Sequence, residues 1–512
     1  MTQVSRQRIA KNTGFLYVRM LFLLFISLYT SRIVLEKLGV TDFGVYNVVG
    51  GLATMCSFFS TSLSNATERY LNIALGQKDY KKANEIFNQN LGIFILIALG
   101  TIILSETIIR WCIFDNLIIP ADKWTAAQWV YQFTIGSLAV NLIGIVFVAS
   151  IIANENMKIF SFVGIFDGVA KLVIAFLIGS FPIENLITYS SLLFIETCIV
   201  QLFYAFFCFK NFEECRLKIY WNKNLIREMF GFIGWNVLGT GIYMAKDAGV
   251  NVLMNIFYGP IVNAARAISL QVSTGVSSFT NNIFVAIRPQ MVKAYSANEL
   301  EELKRLFFES SKFPILLYWI ICLPVMLTIV SLLNIWLLEV PPDATIFTLW
   351  VLADSMLAVL TNPTWTIALS TGKLKKYTLY GNGMLMLIFP LCWVAFSNGF
   401  PPVSAFIVIF FSRFLQVLAT VFIISKQILF SMSEYFRKVI IPVLLVIVTS
   451  LLIMYPIKIW CYNVFTNSLI LVGVISVTSL IINILIINFS ILTISQRKML
   501  NAYIKKFLYE LK

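Results

Sequence analysis

Six basic side chains fall inside stretches that are otherwise apolar: Arg19, Arg32, Lys171, Lys246, Arg266 and Arg413. Asp167, Glu196, Asp247 and Asp354 fall inside such stretches too. An ionised group at the centre of a spanning helix costs roughly 2.5–3.5 kcal/mol, so each of these must pair or face water. Two chemistries suit them. Gathered around a wet space, Arg and Lys attract an anion, and the guanidinium fork matches phosphate oxygens two at a time. Asp247, Asp354 or Glu196 could instead carry a coupling proton or sodium ion. The sequence has no histidine, so proton or metal chemistry would fall to carboxylates and lysines. Its eight cysteines are scattered, mostly through apolar runs, without metal-ligand spacing, and read as small buried hydrophobes. Neither a metal nor another cofactor is expected.

The elements that hold these residues are membrane spans. Of 512 residues, 59% are hydrophobic and 12% charged, against about 25% charged in an ordinary soluble domain. Apolar runs of about 20 residues, enough to cross about 30 Å of hydrocarbon as helix, recur from end to end. The alternation of a β-barrel is absent. The sequence predicts an all-α polytopic membrane protein of about 14 transmembrane helices. They lie near 14–36, 44–66, 89–110, 128–152, 160–180, 186–209, 231–257, 261–287, 313–337, 345–370, 378–397, 403–425, 438–457 and 467–494.

With the N-terminus inside, 29 of the 39 Lys and Arg fall in inner segments and 4 in outer ones. Positive charge is retained on the cytoplasmic side, so both termini are expected there. The first run lacks a small-residue cleavage site and exceeds the apolar core of a signal peptide, so it is expected to stay as helix one. The net charge of +14 is then mostly a topology signal. Contact of the basic tail with anionic lipid headgroups is a lesser reading, and nucleic acid is not implied. Inner loops are short and carry no GxxxxGK[ST] phosphate loop, which excludes an ATP motor of that type.

An internal repeat organises the spans. Residue 14 laid on residue 231 brings "GFLYVRML" over "GFIGWNVL" and "EKLGVTDFGVYN" over "NIFYGPIVNAAR". Later, "ANENMKIF" falls over "STGKLKKY". The offset is 217 at the start and reaches 220 at Phe87 and Phe307. Each copy holds six spans and begins in the cytoplasm, so the copies are parallel, with a pseudo-twofold along the membrane normal and a cleft between lobes. The expected division is one six-helix lobe over 1–215, a second over 216–430, and two extra helices with a basic cytoplasmic tail over 431–512.

Polar residues line up at helical spacing within both copies. Span 2 carries Asn47, Thr54, Ser57, Thr61 and Asn65; span 7 carries Asn236, Thr240, Tyr243, Asp247 and Asn251. Span 8 carries Arg266, Ser269, Ser273, Ser277 and Thr280. On span 1, Arg19 shares a face with Asn12 and Thr30, while Arg32 lies about 220° round the helix, one turn before Glu36. The repeat lays Arg19 on Asn236, Thr30 on Asp247, Asn47 on Arg266 and Thr54 on Ser273.

Isolated Ser and Thr are commonly glue between helices. Four matched stripes carrying Arg and Asp point instead to a water-filled central cavity. Arg19, Arg266, Lys246, Lys171, Arg413, Asn47, Asn236 and Ser273 are the residues expected to meet a ligand there. Asp167 and Lys171, four apart, can pair on one helix. Arg32 is expected to pair with Glu36 at the outer interface. Lys246 and Asp247, about 100° apart on their helix, are expected to find different partners.

"NTGFLYVRMLF", "SLYTSRIVLEKLGVTDFGVYNVVGG" and "NATERYLNIALGQKD" resemble the opening of the bacterial O-antigen and capsule flippases. These form the polysaccharide-transporter branch of the multidrug/oligosaccharidyl-lipid/polysaccharide exporter superfamily. "GWNVLG", "RPQMVKAY" and "STGKLKKY" look like the second-lobe counterparts, and the resemblance covers about residues 12 to 425. It implies two six-helix lobes that open inward and outward in turn. It also implies a substrate, an oligosaccharide on a polyprenyl diphosphate, turned from the cytoplasmic to the periplasmic leaflet of the bacterial inner membrane. Spans 1, 2, 7 and 8 would line the cavity, with Arg19 and Arg266 where basic diphosphate-binding residues are expected. Lys246 carries over less well, being off the span 7 stripe, and Asn236 breaks the symmetry of the cationic set. Partners would be the lipid-linked oligosaccharide, membrane lipids and other polysaccharide-assembly proteins.

Two rival classes make different demands. A cation-coupled multidrug antiporter of the same superfamily should have a net acidic, often aromatic cavity, whereas the intramembrane residues here lean basic. A membrane glycan polymerase or ligase needs a long outer loop with catalytic Arg or His, and the sequence offers neither such a loop nor histidine. An enzyme is not expected.

Overall fold

The described residues of the computed structural model are 3–53 and, with breaks of one or two residues, 67–491. Described side chains begin at residue 21 and leave out those of 223–238 and of a scatter of other positions. The main helices are α1 (Gln3–Ala53), α2 (Tyr80–Leu104), α3 (Trp124–Ala153), α4 (Met157–Leu177) and α5 (Asn185–Asn211). After them come α6 (Lys223–Tyr258), α7 (Pro260–Ser296), α8 (Leu300–Trp336), α9 (Ala344–Val359) and α10 (Thr361–Thr371). Last are α11 (Ile388–Ser397), α12 (Val403–Ile428), α13 (Ile441–Val464) and α14 (Ser468–Ser490).

The chain is an all-α polytopic membrane protein. Among the described residues, ten helical stretches are long and apolar enough to cross a bilayer. They coincide with the third to sixth and ninth to fourteenth predicted spans. Helices are what hydrocarbon permits, because each satisfies its own backbone N–H and C=O groups. Large apolar side chains point outward, as lipid allows: Phe25, Leu202, Leu452 and Phe489 are 68–70% exposed. The remaining four predicted spans fall on α1, α6, α7 and residues 54–66, and these carry the polar stripes. Thr54, Ser57, Thr61 and Asn65 lie outside the described residues.

Four glycines with φ between +77° and +84° mark the joints between consecutive spans: Gly39, Gly179, Gly259 and Gly399. A side chain at such φ meets the backbone, so glycine is the residue that turns the chain there most cheaply. They form two pairs, Gly39 with Gly259 and Gly179 with Gly399, each 220 residues apart. The offset is the one the sequence repeat reaches at Phe87 and Phe307. Backbone geometry thus carries the repeat at places where side-chain identity has faded.

The chain groups into two compact units. The first comprises Met1–Ile268, Leu337–Ala344 and Leu385–Val408; the second comprises Ser269–Trp336, Thr345–Met384 and Ile409–Lys512. In the first unit α3 packs along α5 and α2, α1 along α4, and α6 along α11. A tight approach joins α1 to the start of α7: a Cβ on Gly44 would run into the carbonyl oxygen of Pro260. That obstacle is backbone and cannot swing aside. Gly44→Ala is therefore expected to destabilise the protein by about 1–3 kcal/mol, the usual cost of overpacking, read as a lower melting temperature in detergent.

In the second unit α8 packs against α13 and α14. Trp319 donates its indole N–H to Ser450 Oγ at 2.9 Å. Phe307, Phe308, Phe430 and Tyr435 form an aromatic cluster near the start of α8.

Candidate functional site

Charge concentrates where α6 and α7 meet. Asp247 Oδ1 lies 3.0 Å from Lys246 Nζ and 3.6 Å from an Arg266 Nη. The Lys246 and Arg266 side chains are only 5% and 7% exposed, whereas that of Asp247 is 53% exposed. Lys246 and Asp247 therefore do not go separate ways, as their angular spacing predicted. The long flexible lysine stem lets its ammonium return to the neighbouring carboxylate, which Cβ directions alone do not reveal. The same stem brings Lys246 to the Arg266 cluster although its Cα is off the span 7 stripe. Cys392 of α11 lies within electrostatic reach of both cations. A carboxylate this exposed cannot rest in hydrocarbon at small cost, so its face is wet.

Four asparagines, Asn47, Asn251, Asn255 and Asn263, hold this cluster in place. Arg266 donates from one Nη to Asn251 Oδ1 at 3.3 Å and from the other to the Asp247 carbonyl at 3.2 Å. Asn263 donates to both Asn251 oxygens, backbone at 2.7 Å and Oδ1 at 2.8 Å. Asn255 donates to Asn263 Oδ1 at 3.2 Å and accepts from the Ile118 amide at 2.8 Å. Asn251 in turn donates to the Asn47 carbonyl at 3.3 Å, tying the network to α1. Arg266 Nε is buried with no hydrogen-bond partner. Asn255 and Asn263 were not read as site residues. The signal was present: Asp247, Asn251 and Asn255 recur every four residues along one face of α6.

In the first unit a cavity of about 550 Å³ lies among α3, α4 and α5, with Tyr46 of α1 on its wall. Thr134, Ser137, Asn141, Lys171, Glu196 and Gln201 give it polar character. Lys171 donates to both Asp167 oxygens at 2.7 and 2.8 Å, the pair its spacing predicts. Both carboxylate oxygens of Glu196 are buried without a hydrogen bond at normal distance, under the electrostatic influence of Asp167 and Lys171. The cavity lining thus carries one carboxyl, Glu196, and one ammonium, Lys171, which Asp167 pairs. The stripe of Thr134, Ser137 and Asn141 was not singled out in the sequence, where spans 1, 2, 7 and 8 drew the attention.

The second unit holds the remaining predicted residues. Arg413 Nε donates to Asp354 Oδ1 at 3.0 Å and its Nη1 to Gln416 Oε1 at 2.9 Å. Gln416 passes the chain on to Asn382 Oδ1 at 3.0 Å. Ser273 is buried and shares a 2.6 Å hydrogen bond with Ser355. Asn47, half-buried, donates its side-chain amide to the Phe43 carbonyl at 2.7 Å. The side chains of Arg19 and Asn236 lie outside the described residues. Lys246, Asp247, Arg266 and the Asn47 backbone come together; Lys171 with Glu196, and Arg413 with Asp354, form separate groups.

No protein-family model matches the sequence, and no curated protein matches it either. Solved structures do. The chain is similar to the lipid II flippase MurJ in an inward closed conformation, at 13% identity and TM-score 0.64, over 91% of this chain and 97% of that one. It is also similar to an inward-facing multidrug resistance MATE family transporter of the MOP superfamily, at 12% identity and TM-score 0.60, over 79% and 98%. A third is a MOP superfamily transporter from Pyrococcus furiosus Vc1 described by the reverse polarity of its binding pocket, at 10% identity and TM-score 0.53, over 79% and 95%. At such identities the likeness is one of fold: the chain shares the fold of these transporters and of the lipid II flippase.

Proposed function

We propose that the protein is a flippase that moves an oligosaccharide carried on a polyprenyl diphosphate from the cytoplasmic to the periplasmic leaflet of a bacterial inner membrane. The observation that carries this reading is the pair of buried cations, Lys246 and Arg266, sharing one exposed carboxylate on the seventh and eighth predicted spans. A net positive, wet site removes the barrier that hydrocarbon raises against a diphosphate, whose unpaired burial would be prohibitive. Ser, Thr and Asn stripes offer hydroxyl-rich sugars many weak hydrogen bonds, which permit release. The two six-helix copies would open inward and outward in turn, with both termini in the cytoplasm, while the polyprenyl tail stays in lipid. Membrane lipids and polysaccharide-assembly proteins are the accompanying partners.

A second reading, a cation-coupled drug antiporter, is favoured by the buried Glu196 carboxyl on a cavity wall beside the Asp167–Lys171 pair. Deletion of the gene separates the two. The flippase reading expects loss of a surface glycan and its return on complementation. Altered drug resistance with an unchanged glycan profile on gels and in immunoblots would overturn it in favour of the antiporter.

A further inference from the structure

Asp247 sits between the two cations and the outside. Its carboxylate is half-exposed, whereas the Lys246 ammonium and Arg266 guanidinium behind it are almost fully buried. One oxygen, Oδ1, serves both cations, closely for Lys246 and loosely, at 3.6 Å, for Arg266. Arg266 keeps a buried Nε with no hydrogen-bond partner. Among the described residues, two buried cations and one carboxylate leave a net positive charge, where a second anionic oxygen would be strongly favoured. Asn251 and the Asp247 carbonyl hold the Arg266 guanidinium in place. The Asp247 side chain is the short and exposed member of the trio.

We propose that Asp247 is an exchangeable counter-ion. It neutralises Lys246 and Arg266 between transport events, and the anionic oxygens of the substrate's diphosphate displace it. This role rests on the flippase reading and adds to it a control on affinity. The carboxylate competes with the substrate for the same two cations, which weakens binding. After release it returns, so the site is never left as two bare buried charges. A site of two buried cations without such a competitor would hold a diphosphate too long to turn over quickly.

The test uses the full chain in lipid nanodiscs with farnesyl diphosphate, a soluble polyprenyl diphosphate, as the probe. Asp247→Asn is expected to bind it about tenfold more tightly than the natural protein, the order of a single charge interaction. In cells the same variant is expected to lay down less surface polysaccharide at equal protein level. Carbodiimide labelling of the natural protein, followed by mass spectrometry, reads the displacement directly: farnesyl diphosphate should raise labelling at Asp247. Binding to the natural protein with equal or weaker binding to Asp247→Asn, or with flat or reduced labelling at Asp247, overturns the counter-ion role and leaves the flippase reading standing. Failure of the probe to bind either form overturns the diphosphate site itself. Should Asp247→Asn not fold, the labelling result decides alone.

Discussion

Arg266→Ala is expected to abolish surface polysaccharide while the protein still inserts in the membrane. The guanidinium is the one charged planar donor among the described residues of the α6–α7 cluster, and bidentate recognition of a diphosphate depends on it. Losing a buried charge contact to an anionic partner typically costs about 2–5 kcal/mol, roughly 30-fold to several thousand-fold in affinity. Insertion should survive the change. Asn263 still satisfies Asn251, and Lys246 still neutralises Asp247 at 3.0 Å, so no buried charge is orphaned. Arg266→Lys should recover little, because an ammonium is a point charge and cannot bridge two oxygens in one plane. Glycan immunoblots normalised to protein in isolated membranes read the result. Arg19→Ala is expected to behave alike, since the repeat sets it on the same polar face. Arg32→Ala should lower glycan only as far as it lowers protein. Equal, expression-independent loss in all three would contradict the assignment of faces.

Arg413→Leu is expected to act through stability instead. Arg413 and Asp354 have side chains 6% and 15% exposed and meet at 3.0 Å within the second unit. Removing one partner of a buried ion pair leaves an uncompensated charge and costs about 3–5 kcal/mol, whereas replacing both by apolar residues is close to neutral. Arg413→Leu should therefore lower the thermal unfolding midpoint in detergent by several degrees, and Arg413→Leu with Asp354→Leu should restore most of it. Gln416 and Asn382 extend the pair into a network, so recovery will be incomplete. A single variant that unfolds normally yet exports no glycan would instead make Arg413 a ligand-holding residue, the role its position in an apolar span first suggested.

Much of this molecule can be read from its sequence because lipid imposes simple rules. The ten helices most apolar among the described residues sit where runs of apolar residues place them, and Asp167 pairs with Lys171 as spacing alone requires. The four polar spans were visible as stripes through helical periodicity. What periodicity does not contain is the reach of a side chain. Lys246 looked separate from Asp247 because their Cβ atoms diverge, and a four-carbon stem undid that inference. Nor does periodicity say which asparagine touches which. Asn263 meets Asn251 only because Gly259 folds α7 back beside α6, a tertiary fact. The cavity near Glu196 was hidden for a further reason. Its α3 stripe of Thr134, Ser137 and Asn141 carries no charge, and the charged residues beside it, Lys171 and Glu196, come from two other helices.

The paired glycines bear on how a duplicated chain became lopsided. Each copy runs the same 140 residues from its first joint to its second, so insertions and deletions between joints have cancelled. Around these joints the sequence repeat pairs unlike chemistry: at an offset of 219 it lays Asn47 on Arg266, and at 217 Arg19 on Asn236. A chain made of two first copies would keep every joint and lose Asp247 and Arg266 together. One made of two second copies would double them and lose Arg19. On the function proposed above, either chimera is expected to insert in the membrane and to lay down no surface glycan.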